Sequence, residues 1–189
     1  MGENAAVESE SLRGHLLVAG PKLLDPNFLR TVVLVGEHGE EGALGVVLNR
    51  PSDARVAEAV PALAQLVEED AVVHVGGPVQ PEAVTVLAEF SERGQAATTV
   101  FGRVGFARGD LDVNALATGT PRARVFAGYA GWSAGQLEGE LAGGDWILAD
   151  PLADDVFSSE GLGLWATVLR RKGGHFELLA RMPIDPSLN

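Results

Sequence analysis

Apolar residues along this chain fall into short β-branched runs divided by turn-forming clusters, with only a few stretches spaced at three and four as a helix requires. Residues 15–19 predict a first strand, closed by Gly20-Pro21. Residues 25–28 predict a turn or a single helical turn, because an aspartate accepts exposed N–H groups and Pro26 has its φ already set for a first helical position. Residues 31–35 and 43–48 are continuous apolar runs, the pattern of strands buried on both faces. The polar stretch 37–42 joins them into a hairpin.

Further strands are predicted at 71–75, 83–88 and 122–129, an irregular one at 98–106 and a short last one at 145–149, with a loop over 91–97. Helices are predicted at 54–67, kinked or divided by Pro61, at 110–117 behind an Asp110 cap, at 131–141 and at 164–171. These elements describe one α/β (α+β) domain over residues 14–181. Flexible tails are expected at 1–13 and 182–189, the second fraying at its prolines. The chain has no internal repeat and no low-complexity segment.

With 189 residues, one hydrophobic core is the expectation. A hydrophobic fraction of 46% and a mean hydropathy of +0.13 are too apolar for a disordered chain. Twenty-six acidic against 14 basic residues give a net charge of -12, which repels phosphate backbones and anionic lipid surfaces. Direct nucleic-acid binding is thereby disfavoured though not excluded, and no membrane partner is expected. The compact basic candidates are Arg122 with Arg124, and Arg170-Arg171-Lys172, which reads as cations at a helix C-terminus.

The absence of cysteine removes disulfides, thiolates and sulfur-based metal sites. His15, His38, His74 and His175 show no paired ligand spacing, so no metal and no cofactor is expected. The first 11 residues have neither the basic start nor the apolar stretch of a secretion signal, and no later apolar run approaches membrane-spanning length. A cytoplasmic location is expected.

Four clusters carry a resemblance: Asp25-Pro26-x-Phe28, the run from Gly42 through Asn49-Arg50-Pro51, Gly76-Gly77-Pro78-Val79, and the run from Gly128 through Trp132 and Gln136 to Glu138. In order and wording they resemble the YqgE/AlgH family of small bacterial proteins, from about Gly14 to about Trp165. The resemblance implies a mixed sheet curled into a pseudo-barrel and flanked by short helices, a bacterial cytosolic setting, and the family's usual label of transcriptional regulator. One departure matters. Many members carry a cysteine just before the Glu-His pair, where this chain has Gly36, so a thiol role is closed to it.

Gly131-Trp132-Ser133-Ala134-Gly135 matches the G-x-S-x-G elbow of serine hydrolases, and Asp150 or Asp155 followed by His175 would complete a triad in hydrolase order. Against this, the chain is short for a hydrolase sheet, and members of the resembled family commonly place other small residues or proline at the position of Ser133. The glycines then close a tight turn over a packed Trp132. Gly161-x-Gly163-x-x-Ala166 echoes a dinucleotide fingerprint, but without a preceding strand it reads as a helix entrance. The acidic segment 37–41 could in principle bind a cation, but without paired histidine ligand spacing it reads as a solvated hairpin tip.

The stronger candidate is the set of strand ends. Asn49-Arg50-Pro51, Gly76-Gly77-Pro78 and the stretch containing Tyr129, Gly131 and Trp132 each follow a predicted strand, where glycines let a backbone approach a ligand. They are expected to meet in one concave surface completed by Gln136 and Glu138. Alternatively, Arg50 pairs with a carboxylate such as Glu138 and simply holds the turns together. The leading expectation is a non-catalytic regulatory or binding module for a small ligand or protein partner. The alternatives are a DNA-associated transcriptional regulator, for which no helix-turn-helix signature is present, and a hydrolase acting through Ser133.

Overall fold

Each β-branched run singled out above becomes a strand. The computed structural model describes residues 11–92, 96–109 and 113–183. Its strands are β1 (Leu16–Ala19), β2 (Val32–Gly39), β3 (Gly42–Val47), β4 (Pro51–Arg55), β5 (Val72–Val75), β6 (Val79–Glu89), β7 (Thr98–Phe101), β8 (Val104–Phe106), β9 (Arg122–Ser133) and β10 (Trp146–Ala149). The helices are short: α1 (Val56–Ala59), a 3-10 turn at Pro61–Leu66, α2 (Val113–Gly119), α3 (Gln136–Gly143), α4 (Ala153–Val156), α5 (Gly163–Lys172) and α6 (Phe176–Leu179). Among the described residues no helix is long and apolar enough to cross a membrane.

The strands form one sheet in the order β10-β1-β2-β3-β9-β6-β8-β7, with the β4–β5 pair attached to β9 through β5. All of these pairings are antiparallel except β5 beside β9, so the sheet is mixed. The hub is β9. One edge of it pairs with β6 over its length, while the other edge pairs with β5 at Phe126 and Ala127 and then with β3 from Ala130 to Ser133. The change of partner falls at Gly128, whose φ of +71° a β-carbon would resist.

The hydrogen-bonded path does not close, yet its β7 end folds back toward β1 and β2. Arg13 donates to the Thr99 carbonyl. A β-carbon on Gly14 would lie 2.9 Å from the Val100 carbonyl oxygen, and one on Gly36 would lie 2.7 Å from the Phe106 ring. The β7–β8 hairpin therefore packs back against the start of β1 and the middle of β2, giving the curled, pseudo-barrel sheet that the resemblance implied. Val32 to Val35 are all wholly buried, as a continuous apolar run requires. The main core extends under α5, where the Trp165 indole N–H donates to the Ala19 carbonyl at 2.8 Å. A smaller core of Val56, Leu66, Val73, Val86, Leu116 and Val125 lies beneath α1, α2 and the 3-10 turn.

Several elements differ from expectation for identifiable reasons. Residues 98–106 form a hairpin rather than one irregular strand, turning at Gly102 with a φ of +53°. The strand expected from 83 starts at Val79, and Pro81 is accommodated in a register shift between Val79 and Val84. The helix expected from 131 begins only at Gln136. Trp132 continues β9 opposite Ala43, and burial of its indole from the sheet outweighs local propensity. Strand β4 and helices α4 and α6 were not anticipated, since β4 is polar and almost wholly exposed and each helix is four residues long.

The Asp110 cap lies outside the described residues, as do residues 93–95 of the expected loop and the stretches 1–10 and 184–189 of the expected tails. The inner ends of both tails are docked. The Leu12 N–H donates to His38 Nδ1 at 3.2 Å, and the Arg30 guanidinium donates to the Met182 carbonyl at 2.6 Å and to that of Pro183.

Candidate functional site

The three strand-end turns do converge, but they meet backbone upon backbone. The Gly76 N–H donates to the Ala127 carbonyl at 2.8 Å, the Gly76 carbonyl accepts from Val47 at 2.8 Å, and the Arg50 carbonyl accepts from Val75 at 2.8 Å. A β-carbon on Gly76 would lie 2.3 Å from the Gly128 carbonyl oxygen, and one on Gly77 would lie 2.2 Å from the backbone of Tyr129. The junction is solid, with Pro78 exposed at its edge. Asn49 is buried and acts as a backbone surrogate: its amide oxygen accepts from Val32 at 2.9 Å and its NH2 donates to the Arg30 carbonyl at 2.9 Å. Arg50 reaches away to cap the turn over residues 25–29, donating to the carbonyls of Pro26 and Leu29 at 3.1 and 2.9 Å.

The Arg50–Glu138 pair of the alternative reading does not form, and His38 pairs with Glu138 instead. His38 Nδ1 accepts the Leu12 N–H, so the neutral ring carries its proton on Nε2 and donates to Glu138 Oε1 at 2.8 Å. Glu138 is held below the usual carboxylate range, first by a backbone N–H and, against a smaller opposing effect of burial, by His38. Trp132 is 7% exposed, and its N–H donates to Glu140 Oε2 at 2.8 Å. Gln136 joins the same network, donating to Glu140 Oε1 at 2.8 Å while its own oxygen accepts from the Ser133 N–H and hydroxyl at 3.0 and 3.2 Å.

Open space lies elsewhere, at the mouth of the curled sheet. Gly36 and Glu37 from β2, Leu44, Gly45 and Val46 from β3, Thr85 from β6, Phe106 from β8 and Tyr129 from β9 surround a recess of about 200 Å³. A broader cleft of about 560 Å³ adjoins it, lined by residues 37–44 and Trp132; the two share Glu37 and Leu44. The carboxylate of Glu37, the hydroxyl of Thr85 and the phenol of Tyr129 make no hydrogen bond or ion pair with another described residue. Of these lining residues only Tyr129 and Trp132 were expected from the sequence. The available signal was Gly36, a glycine inside a β-branched run, which marks close approach of another group, here the Phe106 ring.

A family model described as AlgH-like matches residues 16–177. The chain belongs to the AlgH-like family. Among its relatives, a UPF0301 protein of Streptomyces coelicolor is 45% identical over 188 residues, 96% of this chain and 97% of the relative. One of Thermobifida fusca is 42% identical, covering 98% and 99%. A crystal structure from Corynebacterium diphtheriae superposes with a TM-score of 0.84 at 30% identity, covering 94% of this chain and 95% of that one. The solution structure of the AlgH protein from Pseudomonas aeruginosa gives 0.69 at 31% identity, covering 97% and 98%.

In this AlgH-like chain Ser133 is the last residue of β9, and Ala134 and Gly135, the latter left-handed at φ +74°, separate it from α3. The acceptor for its hydroxyl is an amide oxygen, which has little proton affinity. Asp155 is buried, with both oxygens on Arg171 at 2.7 Å and one also accepting the Leu152 N–H. Arg171 also donates to the Asp150 carbonyl at 3.0 Å, and the His175 ring lies tilted at 38° to that of Phe176 with centres 3.8 Å apart. The basic candidates are likewise engaged within the molecule. Arg122 pairs with Glu89 and Asp154, and Arg124, pulled down to about 10 by burial, donates to the Ser158 carbonyl. Arg170, Arg171 and Lys172 close the last turn of α5, where the helix dipole favours them.

Proposed function

We propose that this AlgH-like protein is a non-catalytic binding module of the cytoplasm, taking a small ligand at the mouth of its curled sheet and serving a regulatory role through it. The observation that carries this reading is the recess to which five separate strands lend residues, with three polar side chains that have no partner among the described residues in an otherwise apolar wall. Barrel mouths with few, convergent polar groups are where small molecules commonly bind. A site on strands is also held more rigidly than one on loops.

A regulatory role exerted by direct DNA contact is the weaker version, because the chain carries a net charge of -12 and Arg122 and Arg124 are engaged internally. Native mass spectrometry of the protein purified from its own host tests the proposal. Wild type should carry a small-molecule adduct that Thr85→Phe, which fills the recess, lacks. Identical spectra for the two proteins would overturn it.

A further inference from the structure

We infer that the recess selects an organic cation, a protonated amine carrying a single apolar ring. This deepens the binding reading above and rests on it. Size sets the first limit. A cavity of about 150 Å³ is enough to hold benzene, so about 200 Å³ accepts one ring with a short substituent. Phe106, Leu44 and Val46 supply the apolar wall against which such a ring packs.

The polar groups set the second limit. An ammonium has three donors and no acceptor, and the recess offers a carboxylate at Glu37 with two hydroxyl oxygens at Thr85 and Tyr129. An anionic ligand would meet Glu37 at once and Glu40 and Glu41 in the adjoining cleft. Among the described residues no lysine or arginine lines either space, and the one histidine there, His38, has both ring nitrogens engaged by Leu12 and Glu138. The negative charge of Glu37 is therefore left for a guest to neutralise, and the net charge of -12 steers cations toward it.

Titration of the full-length protein with 2-phenylethylammonium, 2-phenylethanol and phenylacetate, followed by amide NMR and calorimetry, tests the assignment. The ammonium should bind best and shift the amide signals of Gly36, Leu44 and Gly45, and its affinity should fall with added salt. Glu37→Gln should weaken it at least about tenfold, the scale of one charge-assisted hydrogen bond, and Thr85→Phe should abolish it. Equal binding of the alcohol or the acid, or indifference to Glu37→Gln, would overturn the cation assignment and leave the recess as a binding site. Binding of none of the three, while the host-derived adduct remains sensitive to Thr85→Phe, would overturn the ring-amine class alone. Loss of that sensitivity as well removes both readings.

Discussion

The indole of Trp132 donates to Glu140 across 2.8 Å, from the penultimate residue of a strand to the middle of the helix that follows it. Trp146 donates to the same oxygen at 2.8 Å, and the two indoles meet edge to face with centres 5.9 Å apart. One carboxylate thus fixes two core aromatics and the angle at which α3 leaves β9. Trp132→Ala should cost about 3–5 kcal/mol of unfolding free energy, the range for a large aromatic removed from a core. Glu140→Ala should cost about 2–5 kcal/mol, because it leaves two largely buried N–H donors without an acceptor. Urea denaturation checks both, and a near-neutral Trp132→Ala would place the ring on a functional surface instead.

The junction of the three turns makes a second prediction. Gly76→Ala would set a β-carbon 2.3 Å from the Gly128 carbonyl, and neither backbone can retreat without breaking the pairing of β5 with β9. A loss of about 3 kcal/mol or more, or failure to fold, is expected. Arg50→Ala removes two hydrogen bonds to carbonyls of the 25–29 turn and should cost about 1–3 kcal/mol without disturbing ligand binding at the recess. Loss of the host-derived adduct in a folded Arg50→Ala protein would return the binding site to the strand-end turns.

These cases mark how far the sequence could be read. The β2–β3 hairpin was legible because Val32 to Val35 and Val46 to Leu48 are buried on both faces and apolar throughout. The start of α3 was not, because Gly131 and Gly135 imitate a strand-to-helix elbow while the partner that keeps Trp132 in the sheet, Ala43, lies far away in the chain. β4 carries no hydrophobic pattern because its order comes from backbone pairing with β5. The recess was illegible for a similar reason. Its walls come from five strands, and Glu37, Thr85 and Phe106 show no common motif until the sheet curls.

Ser133 yields a third prediction. Its hydroxyl and N–H both donate to the Gln136 side-chain oxygen, an arrangement that ties the end of β9 to the first residue of α3 and supplies no base to activate a nucleophile. Fluorophosphonate probes should leave the protein unlabelled, and Ser133→Ala should change stability by no more than about 1 kcal/mol, since the N–H to Gln136 bond survives. Labelling that disappears in Ser133→Ala would revive the hydrolase alternative.

The last prediction concerns pH. His74 is buried on β5 with its ring centre 5.8 Å from that of Phe126, and burial, assisted by the nearby Arg124 charge, depresses its pKa from 6.5 to about 4. Between those values the unfolded chain binds a proton that the folded chain refuses, so unfolding free energy rises with pH across this window. Acidification from about pH 6.5 to pH 4 should therefore remove on the order of 2 kcal/mol attributable to this one ring, with the loss from it levelling off within about one unit below pH 4. His74→Leu keeps an apolar side chain against Phe126 and has nothing to protonate, so its stability should be flatter than wild type over the same window, whatever its absolute value. Parallel urea titrations of the two proteins at pH 4, 5, 6 and 7 measure the difference in slope, and parallel curves would show that the acid sensitivity arises elsewhere.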